Sequence, residues 1–93
     1  MDLIIKAIEE EETLATKQRK ILIEIYKYNY PMSATEIKRE MYNKSRQFIH
    51  ATLHALLEKG FIKREKNRVF LYSVNQDKMK ELLEKQRYKA FKK

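Results

Sequence analysis

The chain contains a single glycine, Gly60, and the hydrophobic periodicity changes across it. Before it, Ile49, Leu53, Leu56 and Leu57 recur at i, i+4, i+7 and i+8, the stripe of a helix buried along one side. After it, Phe61 to Glu65 and Arg68 to Val74 are rich in β-branched and aromatic residues at a period of two, which reads as paired strands. A residue without a Cβ at this switch suits the C′ position that closes a helix. Lys66-Asn67 falls between the strands, and Asn accepts the positive φ of a tight hairpin. A buried helix that stops at a glycine and runs straight into a basic hairpin leaves few folds open.

The preceding segments narrow the choice. Leu14, Ile21, Leu22, Ile25 and Tyr28 place a helix over Thr13 to Asn29, with Thr16 as the N-cap of its regular part. It ends at Tyr30-Pro31, because a residue before proline is driven out of the helical region. Ser33 and Glu36 form an S-x-x-E capping box that opens a short second helix with Ile37 and Met41 inward. Asn43 to Ser45 is a turn and a cap, and the third helix runs from Ser45 to Lys59. Asp2 to Glu12 is helix-competent, either as a separate helix or as a continuation into the next. Asn75 to Lys93 reads as a last helix, with Met79, Leu83, Gln86 and Ala90 on one seam and Leu82 and Phe91 widening it. The expected fold is mainly α with a small β-hairpin: a winged helix-turn-helix with extra N- and C-terminal helical segments. One domain, 1–93, then divides into an N-terminal extension 1–12, a winged core 13–74 and a C-terminal helix 75–93.

Size and composition bear on function. A chain of 93 residues buries a thin core and more often binds than catalyses. Cysteine is absent, which removes disulfides, thiolate chemistry and Cys-based zinc sites together. No apolar run reaches the length of a membrane span, and the short apolar start is followed by glutamates rather than a cleavage site. A cytoplasmic protein, nucleoid- or plasmid-associated, without membrane or cofactor, is the expectation. Asp2 and Glu9 to Glu12 against Lys6 leave residues 1–12 at −4, so residues 13–93 carry +12 of a net +8. A globular body that basic commonly meets a polyanion.

Leu57 to Glu65 followed by Phe70 to Val74 resembles the end of the recognition helix and the wing of MarR, PadR and ArsR-type regulators. Leu14 to Leu22 resembles the first helix of the MarR-type winged domain. The likeness spans roughly 14–74. Small basic winged-helix proteins without cysteine also look like those encoded by viruses and plasmids of thermophilic archaea. Some of these are repressors, and one class binds a plasmid partition site.

In this fold the third helix enters the DNA major groove. The face opposite its apolar stripe holds Lys44, Gln47, Ala51, His54 and Ala55, flanked by His50 and Phe48. Gln47 matches an adenine edge, and Ala51 allows close approach. Lys44, Ser45 and Arg46 lie at the helix N-terminus, which attracts phosphate. Phe48 either touches a thymine methyl or joins the core. His50 and His54 face the groove or a phosphate; surface histidines without a role are the alternative. They do not form a zincin motif, since Ala51 stands where a glutamate is required, and no third His completes a site. The wing, about 61–74, offers Lys63, Arg64, Lys66, Asn67 and Arg68 to the minor groove or flanking backbone. Ser33, Thr35 and Lys38, with Lys17, Arg19, Lys20 and Arg39, are further backbone candidates. Tyr26, Tyr28, Tyr30 and Tyr42 read as core or rim packing.

A lone module reads few base pairs, so a homodimer on a palindromic site is expected. Its candidates are Leu3, Ala7 and Ile8 on the first segment and Met79, Leu82, Leu83, Gln86, Ala90 and Phe91 on the last. Glu9 to Glu12 can meet the basic tail Arg87 to Lys93, and the alternative is that both segments cover their own domain. The functional expectation is sequence-specific double-stranded DNA binding, as a transcriptional regulator or a partition-site (centromere) binding protein. The alternative is a protein–protein adaptor with weak DNA binding, docking a segregation or transcription factor. An enzyme is excluded for want of any nucleophile–base pairing.

Overall fold

The computed structural model describes residues 2–42 and 44–91; the side chains of Ala90 and Phe91, and residues Met1, Asn43, Lys92 and Lys93, lie outside the described residues. In chain order the elements are α1 (Leu3–Glu9), α2 (Thr16–Tyr28), β1 (Met32–Ser33), α3 (Ala34–Glu40), α4 (Arg46–Glu58), β2 (Ile62–Asn67), β3 (Val69–Val74) and α5 (Gln76–Phe91). The protein is a winged helix-turn-helix with a helix added at each end.

Local chemistry accounts for most boundaries. The Ser33 hydroxyl accepts from the Glu36 N–H at 3.2 Å, and Glu36 accepts from the Ser33 N–H at 3.0 Å, so the expected capping box forms. Ser45 caps α4 by accepting from the Phe48 N–H at 3.1 Å. Thr16 is not the cap of α2 but its first residue; Ala15 occupies the N-cap, and its N–H donates to Gln18 Oε1 at 3.0 Å. A side chain three residues on thus takes the donor that a capping hydroxyl would leave. Gly60 follows α4 with φ 81°, as the period switch requires.

The sheet has three antiparallel strands in the order β1-β3-β2, one more than the expected hairpin. Met32 pairs with Tyr72 and Ser33 with Leu71. Two residues after a proline carry no periodicity, so only the partner strand makes them a strand. The hairpin turn also differs: Asn67 pairs with Val69, and Arg68 alone stands between the strands with φ 64°.

One core serves the whole molecule. Ile21, Leu22 and Ile25 of α2, Ile37 of α3, Ile49, Leu53 and Leu56 of α4, and Phe61, Ile62 and Tyr72 of the wing are all buried together. At about 1.5–3 kcal/mol for each large side chain, the three from α4 alone outweigh any single polar contact in the fold. The terminal helices join the same core through Ala7, Ile8, Met79 and Leu82. Buried Glu11 receives the Thr13 hydroxyl at 2.6 Å and lies 3.2 Å from Lys85 Nζ, which fastens the α1–α2 loop to α5. Burial pushes its carboxyl up, but the Thr13 and Lys85 hydrogen bonds and the Lys85 charge outweigh this and leave it below its ordinary value.

This packing corrects the dimer assignment of four residues. Ala7, Ile8, Met79 and Leu82 are buried against their own chain, because α1 and α5 cover each other. The acidic cluster likewise meets α5 of the same chain, through Glu11 to Lys85 and Glu10 to Gln86 at 3.4 Å. Leu83 and Gln86 are half-buried and Leu3 is exposed. Of the tyrosines expected in the core or at its rim, Tyr26 is half-buried and donates to Asp2 at 2.9 Å, and Tyr28 and Tyr30 pack edge to face at the surface with ring centres 5.9 Å apart, whereas Tyr42, 92% exposed, does not pack as expected. Tyr28 donates to Glu40 at 2.5 Å, and that bond pushes its phenol up to about 12.

Candidate nucleic-acid interface

Helix α4 is divided cleanly along its length. Ile49, Thr52, Leu53 and Leu56 are buried, while Arg46, Gln47, His50, Ala51 and His54 are all exposed. Thr52 joins the buried side because its hydroxyl donates to the Phe48 carbonyl at 2.9 Å, which removes the cost of burying it. Phe48 packs against the core with Lys17 Nζ 5.2 Å over its ring, so it is withdrawn from the outward face.

Two clefts flank this helix. One is lined by Ala34, Thr35, Lys38, Arg46, Ile49 and His50. Its continuation toward the wing is lined by Ser33, Thr35, Arg46, His50, Val69, Phe70 and Tyr72. The fold therefore brings the α3 candidates Ser33, Thr35 and Lys38 beside Arg46 and His50. The Ser33 oxygen accepts the helix-cap bond, and its O–H remains free to donate. On the other side of the α4 N-terminus, Lys17 and Lys20 of α2 gather with Lys44 and Ser45. Three ammonium groups and Arg46 around a helix N-terminus oppose the macrodipole unless an anion sits among them.

The wing sorts its charges by strand alternation. Arg64 pairs with Tyr72 and Lys66 with Phe70, so these four share the face whose base is the buried Ile62 and Val74. The Arg64 guanidinium lies 4.3 Å and Lys66 Nζ 5.8 Å from the centre of the Phe70 ring. Glu65 and Asn67 are on the reverse face with Lys63, which borders a recess near Tyr30, Pro31 and Gln76. Lys63 is thus not brought to the α4 cleft. Arg19 is not outward either: Nη2 donates to the Glu11 carbonyl at 2.5 Å.

Sequence reasoning missed Val69 and Phe70. They are 55% and 43% exposed, at the end of a basic hairpin and on the border of the cleft. Residues 68–74 read as an apolar strand, and period alone does not say where along a strand burial ends. Among the described residues no three His, Cys, Asp or Glu side chains converge on a metal position. No described helix is long and apolar enough to cross a membrane.

A two-helix motif with an exposed second helix, followed by a basic wing, defines a winged helix-turn-helix DNA-binding domain of the regulatory type. The comparisons agree. The LexA DNA binding domain family model matches residues 11–69, and the chain belongs to that family. No curated protein matches the chain significantly. Among solved structures, ST1889 from the archaeon Sulfolobus tokodaii superposes with a TM-score of 0.66 at 17% identity, over 96% of this chain and 88% of that one. MarR from E. coli gives 0.68 at 18% identity, over 90% of this chain and 62% of MarR. The transcriptional regulator BldR from Sulfolobus solfataricus gives 0.65 at 19% identity, over 87% and 59%. The chain thus spans about three fifths of MarR and of BldR. At these identities the structures establish a shared fold. The family matched is a DNA-binding domain, not a catalytic one, in line with the exclusion of an enzyme.

Proposed function

We propose that the protein binds a preferred duplex DNA sequence as a homodimer and regulates transcription. The division of α4 carries this reading: a 13-residue helix whose outer residues Gln47, His50, Ala51 and His54 are exposed and small or hydrogen-bonding. Such a helix is about 20 Å long and fits a major groove about 12 Å wide. Gln47, His50, Ala51 and His54 then face base edges. Arg46, Lys44, Ser45 and the two α2 lysines hold phosphates at the helix N-terminus. The strand that leaves the groove passes through the cleft between α4 and the wing, where Thr35, Lys38 and Arg46 meet its phosphates and Phe70 its sugars. Arg64, Lys66 and Arg68 lie on the flanking DNA.

The dimer uses the outer side of the α1–α5 pair. Leu3, 48% exposed, and the half-buried Leu83 and Gln86 are what that pair leaves uncovered among the described side chains of the proposed contacts. Two copies double the footprint and impose two-fold symmetry on the site.

Footprinting on DNA from the protein's own replicon, in a protein concentration series at fixed salt, tests the proposal. A short protected palindrome that stays short is the expected result, with a dimer by sedimentation. Protection that spreads from one site into neighbouring DNA would replace regulation with a partition or architectural role. Absence of any preferred site would leave the adaptor role.

A further inference from the structure

The centre of the outward face of α4 is a single line of residues whose chemistry changes along the helix. Gln47, Ala51, His54 and Glu58 follow i, i+4, i+7 and i+11 and fall within about 60° of arc. Gln47 carries both a donor and an acceptor, the pair that matches adenine N7 and N6. Ala51 carries neither. His54 Nε2 lies 3.0 Å from Glu58 Oε1, and the two side chains are 70% and 69% exposed.

A carboxylate only accepts. A neutral imidazole beside it therefore keeps its proton on Nε2, donates it to Glu58, and leaves Nδ1 as a bare acceptor. The second Glu58 oxygen is an acceptor too. The far half of the line thus offers acceptors alone. Guanine N7 and O6 and thymine O4 are themselves acceptors in the major groove, whereas cytosine N4 and adenine N6 donate.

We infer that His54 reads an exocyclic amino group, cytosine N4 or adenine N6, about three base pairs from the pair read by Gln47. Seven residues at about 1.5 Å span about 10 Å, and base pairs rise about 3.4 Å, which sets that separation. Glu58 is a positioning residue that selects the imidazole tautomer. The inference rests on the proposed placement of α4 in the major groove.

Two experiments at pH 8 decide it. Long-range proton–nitrogen spectra of the protein alone read the tautomer. Nδ1 is expected unprotonated in the native chain, with both tautomers populated in Glu58→Ala; a protonated Nδ1, or identical spectra, overturns the role of Glu58. Site selection from random duplexes is then run with native protein, Gln47→Ala and His54→Ala. His54→Ala is expected to flatten one column about three base pairs from the column that Gln47→Ala flattens. At that position, cytosine or adenine is replaced by an analogue lacking the amino group. Native binding is expected to fall about tenfold and His54→Ala binding not at all. Equal losses in both, or a column unmoved by His54→Ala while Gln47→Ala flattens its own, overturns this inference and leaves the DNA reading standing. If neither variant flattens a column, base reading by α4 fails, and this inference fails with it.

Discussion

Gly60→Ala isolates how much stability depends on one backbone conformation. Gly60 has φ 81°, and a Cβ built there meets nothing within 4 Å. Steric contact with neighbours is therefore absent, and the cost of alanine is purely that of the left-handed conformation, about 1–2 kcal/mol. Alanine also narrows the unfolded ensemble, which returns about 0.4–1 kcal/mol. The net loss is about 1 kcal/mol, a fall in Tm of roughly 4–8 °C for a domain of this size. Gly60→Asn is the control, because asparagine enters the left-handed region more easily. Thermal and urea unfolding of the three proteins should rank glycine above asparagine above alanine, with the urea m-value unchanged. An asparagine variant less stable than alanine would mean that side-chain volume, not φ, is what the site rejects. An alanine variant equal to the native protein would refute the strain argument altogether.

Other outcomes follow from the same geometry. Gln47→Ala should weaken the preferred site by about 1–3 kcal/mol in quantitative gel shifts and leave random DNA within about twofold. Lys66→Ala and Arg68→Ala should weaken all duplexes alike, and each should lower the slope of log affinity against log salt by about one. Lys63→Ala, on the reverse face of the wing, should change that slope by much less. Acid should destabilise the protein partly through Glu11. Its folded-state value is held below the ordinary 4.5, so its contribution is present above that pH and is lost as pH falls through the lower folded value. Thermal melts of Glu11→Gln should therefore be less stable near neutrality and less sensitive to pH across that acidic window.

Local rules made much of this protein legible in advance. Three- and four-residue spacing names Ile49, Leu53 and Leu56 as the inner side of α4, and so its outer side by subtraction. Capping chemistry at Ser33 and Ser45 and the conformational freedom of Gly60 set where α3, α4 and the wing begin and end. These features depend on contacts within a few residues, and such contacts are encoded where they act. What remained open involved distant partners. Strand β1 exists only because β3 lies beside Met32 and Ser33. Arg19, an outward cation on any helical wheel, turns to the Glu11 carbonyl because a loop passes there. Lys63 and Arg64 are neighbours in sequence with equal claims on DNA; strand alternation alone puts them on opposite faces, and only the packing of the wing decides which of those faces borders α4. Likewise Ala7, Ile8, Met79 and Leu82 form an apolar set that suits a partner copy or their own fold equally well. Only the packing of α1 on α5 decides for the latter, because burial is a property of pairs of surfaces and a sequence names one surface at a time.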